Sequence, residues 1–322
     1  MSPRSSSGSL SRVKRELRLP DSAEGRLDRA VADALGAGRA AVKRAFQLGD
    51  VRVEGRRARA SDAAVPGARV EIELEEVAGP PAPEPDAPLR VLALHPRLVV
   101  VDKPAGVPVH PLTAGERGTL ASAVVARYPE CVQASPDPRE GGAVQRLDQE
   151  TSGCVVFARD RAAWDELHAA LRARRVEKVY LALVLGRVAA GGVVSVPLAQ
   201  RGARVVPAPD AVAEERLTAK GATPRPAETH YDVERAFDRF TLLRVRIVTG
   251  VMHQIRAHFA HLGHPVAGDA LYGGEAAAHA LPGLERQFLH AARIALDAPG
   301  GGRVEAESPL PADLSRALST LG

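Results

Sequence analysis

The segment QRLDQETSGCVVFARD (residues 145–160) places the carboxylate of Asp148 between Arg146 and a turn-forming Thr-Ser-Gly, directly before an apolar strand-like run. Taken alone, this pattern is typical of a turn in which the aspartate accepts hydrogen bonds from backbone amides. Asp148 and Glu150 point to opposite faces of an extended chain, so they do not by themselves form a glycosidase-like pair of carboxylates. Chemistry at this segment therefore requires partners for Asp148 from elsewhere in the chain.

A second group of reactive side chains lies in VTGVMHQIRAHFAHLGHPVAGDALYGG (residues 248–274), on a predicted helix and its exit. It combines Arg256 with four histidines, which are His253, His258, His261 and His264. The i, i+3 pair His258 and His261 suggests a metal, but no HExxH motif, nearby cysteine or carboxylate before Asp269 completes a zinc ligand set. The sequence therefore disfavours a metal site, and the arginine suits a buried anionic partner instead.

The composition is that of a globular chain, because 45% of its 322 residues are hydrophobic and 25% are charged. Its 43 Lys and Arg against 39 Asp and Glu give a net charge of +4, a mild preference for polyanions. The two cysteines, Cys131 and Cys154, are too few for a disulfide framework and predict a reduced, cytoplasmic compartment. We expect no secretory signal and no membrane span, since no sufficiently long apolar run occurs.

The periodicity of apolar residues predicts two domains. In the first, two amphipathic helices are expected at 26–35 and 38–50, followed by alternating strands at 51–55 and 68–77. The predicted organisation is a flexible Ser/Arg-rich tail (1–17), a small α+β domain (18–78), an extended Pro-rich linker (79–88) and a larger domain (89–322).

The larger domain alternates strand-like runs with predicted helices near 119–128 and at 160–175. The strand-like runs include LVVVDKP, GCVVFAR, EKVYLALVLG and FTLLRVRIVTG. Mixed strands with helices clustered between them predict an α+β fold and not a regular βαβ repeat. Neither GxGxxG nor a P-loop motif occurs, so no nucleotide cofactor is indicated.

Several of these segments together resemble the RluA-type pseudouridine synthase family. QRLDQETSG is similar to its HRLDxxTSG signature, and TGVMHQIRAHFAHLGHPVAGDALYG is similar to its TGRTHQIRxHxxxxGHPxxGDxxYG segment. DKPAGVPVHP, EKVYLALVLG and FLHAARIAL match in family order, and residues 18–78 resemble the S-four RNA-binding domain. The resemblance implies a central mixed, largely antiparallel sheet flanked by helices, preceded by a small α+β RNA-binding domain.

The resemblance also implies an enzyme that isomerises uridine to pseudouridine in RNA, with no cofactor and no metal. This reaction breaks the N-glycosidic bond, turns the uracil and rejoins it through C5, so it needs a carboxylate beside the ribose and no redox step. Asp148 is implied to be that carboxylate, attacking C1′ or C6 or acting as a base. Arg256 would keep it ionised. Tyr180 would stack on the uracil, and Leu289 would form part of the pocket wall.

RNA contacts are implied at further cations. The enzyme must flip its target uridine out of the stack, and Arg146 is implied either to occupy the vacated place or to form an intramolecular salt bridge. Lys178 matches the family motif without an assigned role. Residues 12–69 carry 14 Lys or Arg against 8 Asp or Glu. Such a basic helix face can simply be solvated, but the resemblance of this segment to the S-four domain implies RNA contact at Arg26, Arg39, Lys43 and Arg44.

Two departures from the family motifs leave alternatives open. The family histidine before RLD is Gln145 here, and the Arg-Thr before HQIR is Val251-Met252, so polar groups are changed or lost beside the site. We expect a monomeric enzyme that acts on large-subunit ribosomal RNA, with transfer RNA as the alternative substrate. The competing hypotheses are an RNA-binding or ribosome-assembly paralogue with a vestigial site, and a zinc-dependent hydrolase built on the histidines.

Overall fold

A computed structural model of the chain describes residues 12–75, 80–111 and 116–322. The chain divides into two compact units, of which the smaller contains residues 12–75 and the larger contains residues 80–111 and 117–322. Among the described residues, no helix is both long enough and apolar enough to cross a membrane.

The smaller unit consists of one antiparallel sheet and two helices. Its elements are β1 (Arg12–Arg18), α1 (Leu27–Leu35), α2 (Arg39–Leu48), β2 (Val51–Val53), β3 (Arg56–Arg57) and β4 (Arg69–Glu75). The strands are paired in the order β1-β4-β2-β3, and the helices bury Val31, Val42 and Phe46 in a common core with Ile72 of the sheet. Both helices lie within two residues of the bounds predicted from their apolar spacing.

The prediction of a flexible tail through residue 17 is wrong for residues 12–17, which form most of β1. Strand β1 pairs with β4 along its whole length. The physical reason is charge complementarity across the two strands, since Lys14 Nζ lies 2.9 Å from Glu71 Oε2 and Arg69 Nη2 lies 2.9 Å from Glu16 Oε2. Judged by composition alone, the Ser/Arg-rich segment suggests disorder. Residues 1–11 of the predicted tail lie outside the described residues.

The described part of the predicted linker, residues 80–88, belongs to the larger unit. Pro81 is buried. The Glu84 N–H donates to the carbonyl of Ser122 at 3.1 Å, and the Glu84 carboxylate accepts from the Gly118 N–H at 2.7 Å. These contacts anchor the segment to the start of a helix of the larger unit.

The larger unit contains twelve strands and six α-helices among the described residues. The strands are β5 (Arg90–His95), β6 (Leu98–Lys103), β7 (Ser152–Ala158), β8 (Glu177–Leu185), β9 (Gly192–Val194), β10 (Leu198–Arg201), β11 (Arg204–Pro207), β12 (Pro224–Arg225), β13 (Thr229–Ala236), β14 (Phe240–Ile247), β15 (Leu289–Asp297) and β16 (Arg303–Glu307). The helices are α3 (Leu120–Arg127), α4 (Arg161–Arg172), α5 (Ala211–Ala219), α6 (Gln254–His261), α7 (Ala270–Ala278) and α8 (Ala312–Ser319).

Nine of these strands form the central sheet, in the order β5-β6-β7-β15-β8-β14-β13-β9 with β16 paired to β15. Strands β7 and β15 are parallel and the other neighbours are antiparallel, so the predicted α+β class with a mixed, largely antiparallel sheet is confirmed. A separate small sheet has the order β11-β10-β12. Strands β6, β7 and β8 are buried nearly throughout, because their apolar residues pack on both faces.

Strand β15 lies between β7 and β8, and this order brings together three segments that are distant in the chain. The β7–β15 pair is unusually close at Gly153, whose φ is +117°. A Cβ at this position would lie 2.2 Å from the carbonyl oxygen of Ala291. Glycine is therefore required here both by the backbone conformation and by the approach of the neighbouring strand.

We expect Gly153→Ala to lower the free energy of unfolding by about 3 kcal/mol, because backbone strain adds to a steric clash. Gly202→Ala is the matched control, since Gly202 also has a positive φ, +61°, but no atom lies within 4 Å of an added Cβ. The control is expected to cost about 1 kcal/mol. Urea unfolding of both variants measures the difference, and equal losses of stability would contradict this explanation.

Candidate active site

A cleft of about 600 Å³ opens on the larger unit, between the loop before β7, strand β8 and the start of α6. The six site residues that the family resemblance implies in this domain all line it, namely Arg146, Asp148, Lys178, Tyr180, Arg256 and Leu289. The structure thus brings the two motif segments and strands β8 and β15 to one cavity.

Arg256 joins two carboxylates at the floor of the cleft. Its Nε and Nη2 donate to Asp269 at 2.7 and 2.8 Å, and its Nη1 donates to Asp148 Oδ2 at 2.9 Å. Arg256 and Asp269 are 7% and 1% exposed, whereas the Asp148 side chain is 23% exposed. The buried pair is therefore structural in character, and Asp148 is the carboxylate that reaches the cleft.

Asp269 is itself fixed by the first turn of α7. Its Oδ1 accepts hydrogen bonds from the N–H groups of Leu271 and Tyr272 at 3.0 and 3.1 Å. A carboxylate at a helix N-terminus satisfies unpaired amides and is stabilised by the helix dipole. The orientation of Arg256 is thus set by a helix start 13 residues further along the chain. This role of Asp269 is not evident from the family motifs, although its position before an Ala-rich helix is a capping signal.

The main chain around Asp148 is held by a buried lysine that sequence reasoning missed. Lys103 is 0% exposed, and its Nζ donates to the carbonyls of Pro104, Val107 and Gln149 at 2.8, 2.6 and 2.7 Å. Burial lowers the pKa of Lys103 to about 7. The turn predicted after Asp148 is present, with the Thr151 N–H donating to the Asp148 carbonyl at 3.0 Å. The Asp148 side chain, however, faces Arg256 and not the turn amides.

Strands β8 and β15 supply the wall of the cleft. Lys178 and Tyr180 are two residues apart on β8 and therefore point to the same face of the sheet. Burial, reinforced by the charge of Asp148, raises the pKa of the Tyr180 phenol, so it stays protonated at neutral pH. Burial lowers the pKa of Lys178 to about 8, and its Nζ donates to the carbonyl of Thr249 at 3.3 Å. Leu289, at the start of β15, is 4% exposed and adds an apolar surface.

Four arginines surround the cleft without partners in the described part of the chain. Arg146, Arg172, Arg174 and Arg225 are exposed and form neither ion pairs nor hydrogen bonds through their guanidinium groups with any described residue. Other arginines of the same unit are engaged, as Arg161 is with Asp165 at 3.1 Å. The cleft therefore presents a rim of uncompensated positive charge around the single carboxylate of Asp148.

The cations predicted in the first domain lie on the smaller unit. Arg39, Lys43 and Arg44 are exposed on α2, and Arg39 lies 3.9 Å from Asp33. Arg26 is held by Asp28 through two hydrogen bonds of 3.0 Å. Four glutamates in residues 70–77 also reduce the basic excess, so residues 12–77 carry a net charge of +2.

His258 and His264, on α6 and at its exit, are engaged in hydrogen bonds with protein groups, whereas His261 is exposed. His258 Nδ1 lies 2.8 Å from Thr229 Oγ1 and its Nε2 lies 2.9 Å from the carbonyl of Val196. His264 Nδ1 donates to the carbonyl of Leu185 at 2.8 Å. Across residues 12–75, 80–111 and 116–322, no three His, Cys, Asp or Glu side chains are grouped so that they could hold a metal.

The two positions that differ from the family motifs, Gln145 and Val251-Met252, have different neighbours. Gln145 and Val251 line the cleft. Val251 and Met252 pack with Leu198 and Val205 of the small sheet, in an apolar cluster that also includes Tyr272. The loss of polar groups at these two positions is thus matched by burial against strands β10 and β11.

Comparisons with known proteins identify the family of the chain. The RNA pseudouridylate synthase family profile matches residues 97–261. The chain is 38% identical over 311 residues to an uncharacterized RNA pseudouridine synthase of Chloroflexus aurantiacus, covering 92% of this chain and 90% of that one. It is 35% identical over 329 residues to the ribosomal large subunit pseudouridine synthase D of Xanthomonas campestris pv. campestris, covering 98% and 95%.

The fold is shared with a solved structure, human RNA pseudouridylate synthase domain containing 1. That structure aligns with a TM-score of 0.55 at 24% identity, over 73% of this chain and 95% of that chain.

We expect Asp269→Ala to lower the free energy of unfolding by about 3–5 kcal/mol, because it leaves the buried guanidinium of Arg256 without its main counter-charge. Asp148→Ala, which keeps the Arg256–Asp269 pair, is expected to change it by less than about 1 kcal/mol. Urea unfolding at pH 7 compares the two. A large loss of stability in Asp148→Ala would show that both carboxylates are structural.

Proposed function

The chain belongs to the RluA-type family of RNA pseudouridine synthases and is therefore an isomerase of uridine in RNA; on that premise we propose that Asp148 is its nucleophile and large-subunit ribosomal RNA its substrate. The observation that supports the first part is the Arg256 hydrogen bond, which holds a single part-exposed carboxylate in the cleft.

The reaction is balanced without an outside reagent. The C1′–N1 bond of the uridine breaks, a C1′–C5 bond forms, and the proton lost from C5 is matched by one gained at N1. Asp148 serves this exchange by adding to C1′ or to C6, or by acting as a base, and in each case Arg256 holds its Oδ2 through a hydrogen bond of 2.9 Å. A neutral Tyr180 offers an uncharged aromatic face to the uracil, and Leu289 excludes water beside it.

The arginine rim supports a role in binding RNA. Flipping a uridine out of its stack costs a few kcal/mol, which contacts to the flanking backbone must offset. Arg172, Arg174 and Arg225 are exposed and form no ion pair with any described residue, as expected of groups that bind phosphates. Arg146 lies two residues before Asp148 and lines the cleft, and we assign it to the space left by the flipped base, where its planar guanidinium stacks.

The proposed substrate is supported by the names of relatives. Proteins of Xanthomonas campestris and Pseudomonas aeruginosa called ribosomal large subunit pseudouridine synthase D are 35% and 34% identical to this chain, over 98% and 85% of it. We assign the smaller unit to RNA contact through the exposed cations of α2, in the manner of the S-four domain that it resembles.

The first test is the removal of the nucleophile. In a deletion strain, wild type is expected to restore pseudouridine in large-subunit ribosomal RNA, whereas Asp148→Ala is expected to lower turnover at least ~10³-fold because no other carboxylate of the described residues lines the cleft. Carbodiimide-blocked reverse transcription maps the modified positions. If wild type and Asp148→Ala both leave the RNA unmodified, the paralogue hypothesis is favoured. Restored pseudouridine in transfer RNA alone would replace the proposed substrate.

The second test concerns the exposed arginines that surround the cleft. Each of Arg172→Gln, Arg174→Gln and Arg225→Gln is expected to reduce the slope of log Kd against log salt by about 0.7–0.9 for each phosphate that the variant no longer neutralises. Binding of a ribosomal RNA fragment at several salt concentrations gives the slope. Arg161→Gln, which changes an arginine already paired with Asp165, is the control and should leave it unchanged. Unaltered slopes in all three rim variants would exclude phosphate binding at the rim.

A further inference from the structure

His253, the residue before α6, has an unfavourable backbone conformation. Its φ is +54° and its ψ +20°, in the left-handed region that residues other than glycine rarely adopt. It occupies the N-cap of α6, yet its side chain caps no backbone amide of that helix. The conformation instead directs the imidazole into the cleft. Strain of this kind is retained where the surrounding structure needs the side chain in one place.

The imidazole ring is fixed by Tyr272 of α7. Its Nδ1 lies 3.0 Å from the Tyr272 hydroxyl, and the two rings meet edge to face with centroids 5.7 Å apart. The same hydroxyl accepts a hydrogen bond from the Val205 N–H at 2.9 Å. Because the hydroxyl oxygen already accepts from Val205, donation of the phenolic proton to Nδ1 is the favoured direction of this hydrogen bond. In that arrangement a neutral His253 carries its own proton on Nε2.

That Nε2–H faces the proposed nucleophile. His253 Nε2 lies 3.7 Å from Asp148 Oδ1, while Arg256 holds Oδ2 of the same carboxylate at 2.9 Å. The distance to Oδ1 is slightly longer than a hydrogen bond and closes with a shift of less than about 1 Å. Once that distance closes, each oxygen of Asp148 accepts a hydrogen bond from a different donor.

We propose that His253 is a positioning residue, whose Nε2–H, set by Tyr272, orients Asp148 through Oδ1 while Arg256 holds Oδ2. The inference rests on the proposed role of Asp148 as the nucleophile. It explains why a strained backbone is kept at this position, since the strain is what aims the ring. With both oxygens constrained, the carboxylate cannot rotate away from the reacting uridine.

The charges around His253 favour its neutral form, in which Nδ1 can accept the hydrogen bond from Tyr272. Burial lowers the pKa of the imidazole, the carboxylates of Asp148 and Asp269 raise it, and the guanidinium groups of Arg256 and Arg146 lower it, with a net decrease. The uncharged Tyr272 hydroxyl completes the surroundings. His253 is therefore neutral at pH 7, and acid adds a second proton at Nδ1, where it opposes donation from Tyr272.

Substitutions at position 253 separate positioning from packing. The amide nitrogen of His253→Gln reaches the place of Nε2, whereas that of His253→Asn reaches only the place of Nδ1. We expect His253→Gln to keep kcat within about threefold, and His253→Asn and Tyr272→Phe to lower it about 10- to 100-fold with KM nearly unchanged, because ground-state binding of RNA is retained. Equal kcat values for the Gln and Asn variants, both folded by circular dichroism, would overturn the proposal.

The pH profile supplies a second readout. As pH falls through the lowered pKa of His253, kcat of the wild type is expected to decrease, and this acid limb should disappear in His253→Gln, which does not titrate. An identical acid limb in both proteins would contradict the role of His253.

Nitrogen-15 NMR of histidine-labelled protein reports the tautomer without any activity measurement. We expect the Nε2–H form of His253 in the wild type, a mixture of tautomers in Tyr272→Phe, and a shifted Nε2 resonance in Asp148→Asn. An Nδ1–H form in the wild type would overturn the proposal. If instead the NMR results agree but the wild type modifies no RNA, the proposed function fails and the interaction between His253 and Asp148 stands.

Discussion

The guanidinium of Arg256 is shared by two carboxylates, and the arrangement of the cleft depends on it. Burying a cation requires a partner, which Asp269 supplies through two hydrogen bonds and which the start of α7 in turn stabilises. Because the charge of Arg256 is already balanced inside the protein, its hydrogen bond to Asp148 orients the second carboxylate more than it neutralises it. Asp148, which is part-exposed, is the carboxylate of this network that lines the cleft.

The central sheet brings the partners of this ion-pair network into range. Strand β15 lies between β7 and β8, so Leu289 and Tyr180 reach the cleft that the loop before β7 enters with Asp148. The close β7–β15 approach at Gly153 and the three hydrogen bonds of Lys103 hold that loop on a buried, apolar base. An apolar base excludes water and strengthens the electrostatic interactions above it.

Where hydrophobic periodicity was strong, as in β8 and α4, the sequence predicted the elements with nearly correct bounds. Strand β1 was missed because its arginines and lysine resemble those of a disordered tail, and only the facing glutamates of β4 make them complementary. Asp148, Tyr180 and Arg256 were identified through motif resemblance, since none of the three has an informative local pattern. Lys103 and Asp269 were not identified, because their partners are backbone carbonyls and a buried arginine.

The sequence by itself determined the family, the α+β class and the residue types available for the reaction, because local periodicity and ordered motifs are properties of neighbouring residues. Only the tertiary structure decided which carboxylate is buried and which is exposed. Asp148 and Arg256 are 108 residues apart in the chain yet 2.9 Å apart in space. Ion pairing and desolvation depend on distances of a few ångströms and on exclusion of water, and neither is encoded in the spacing of residues along the chain.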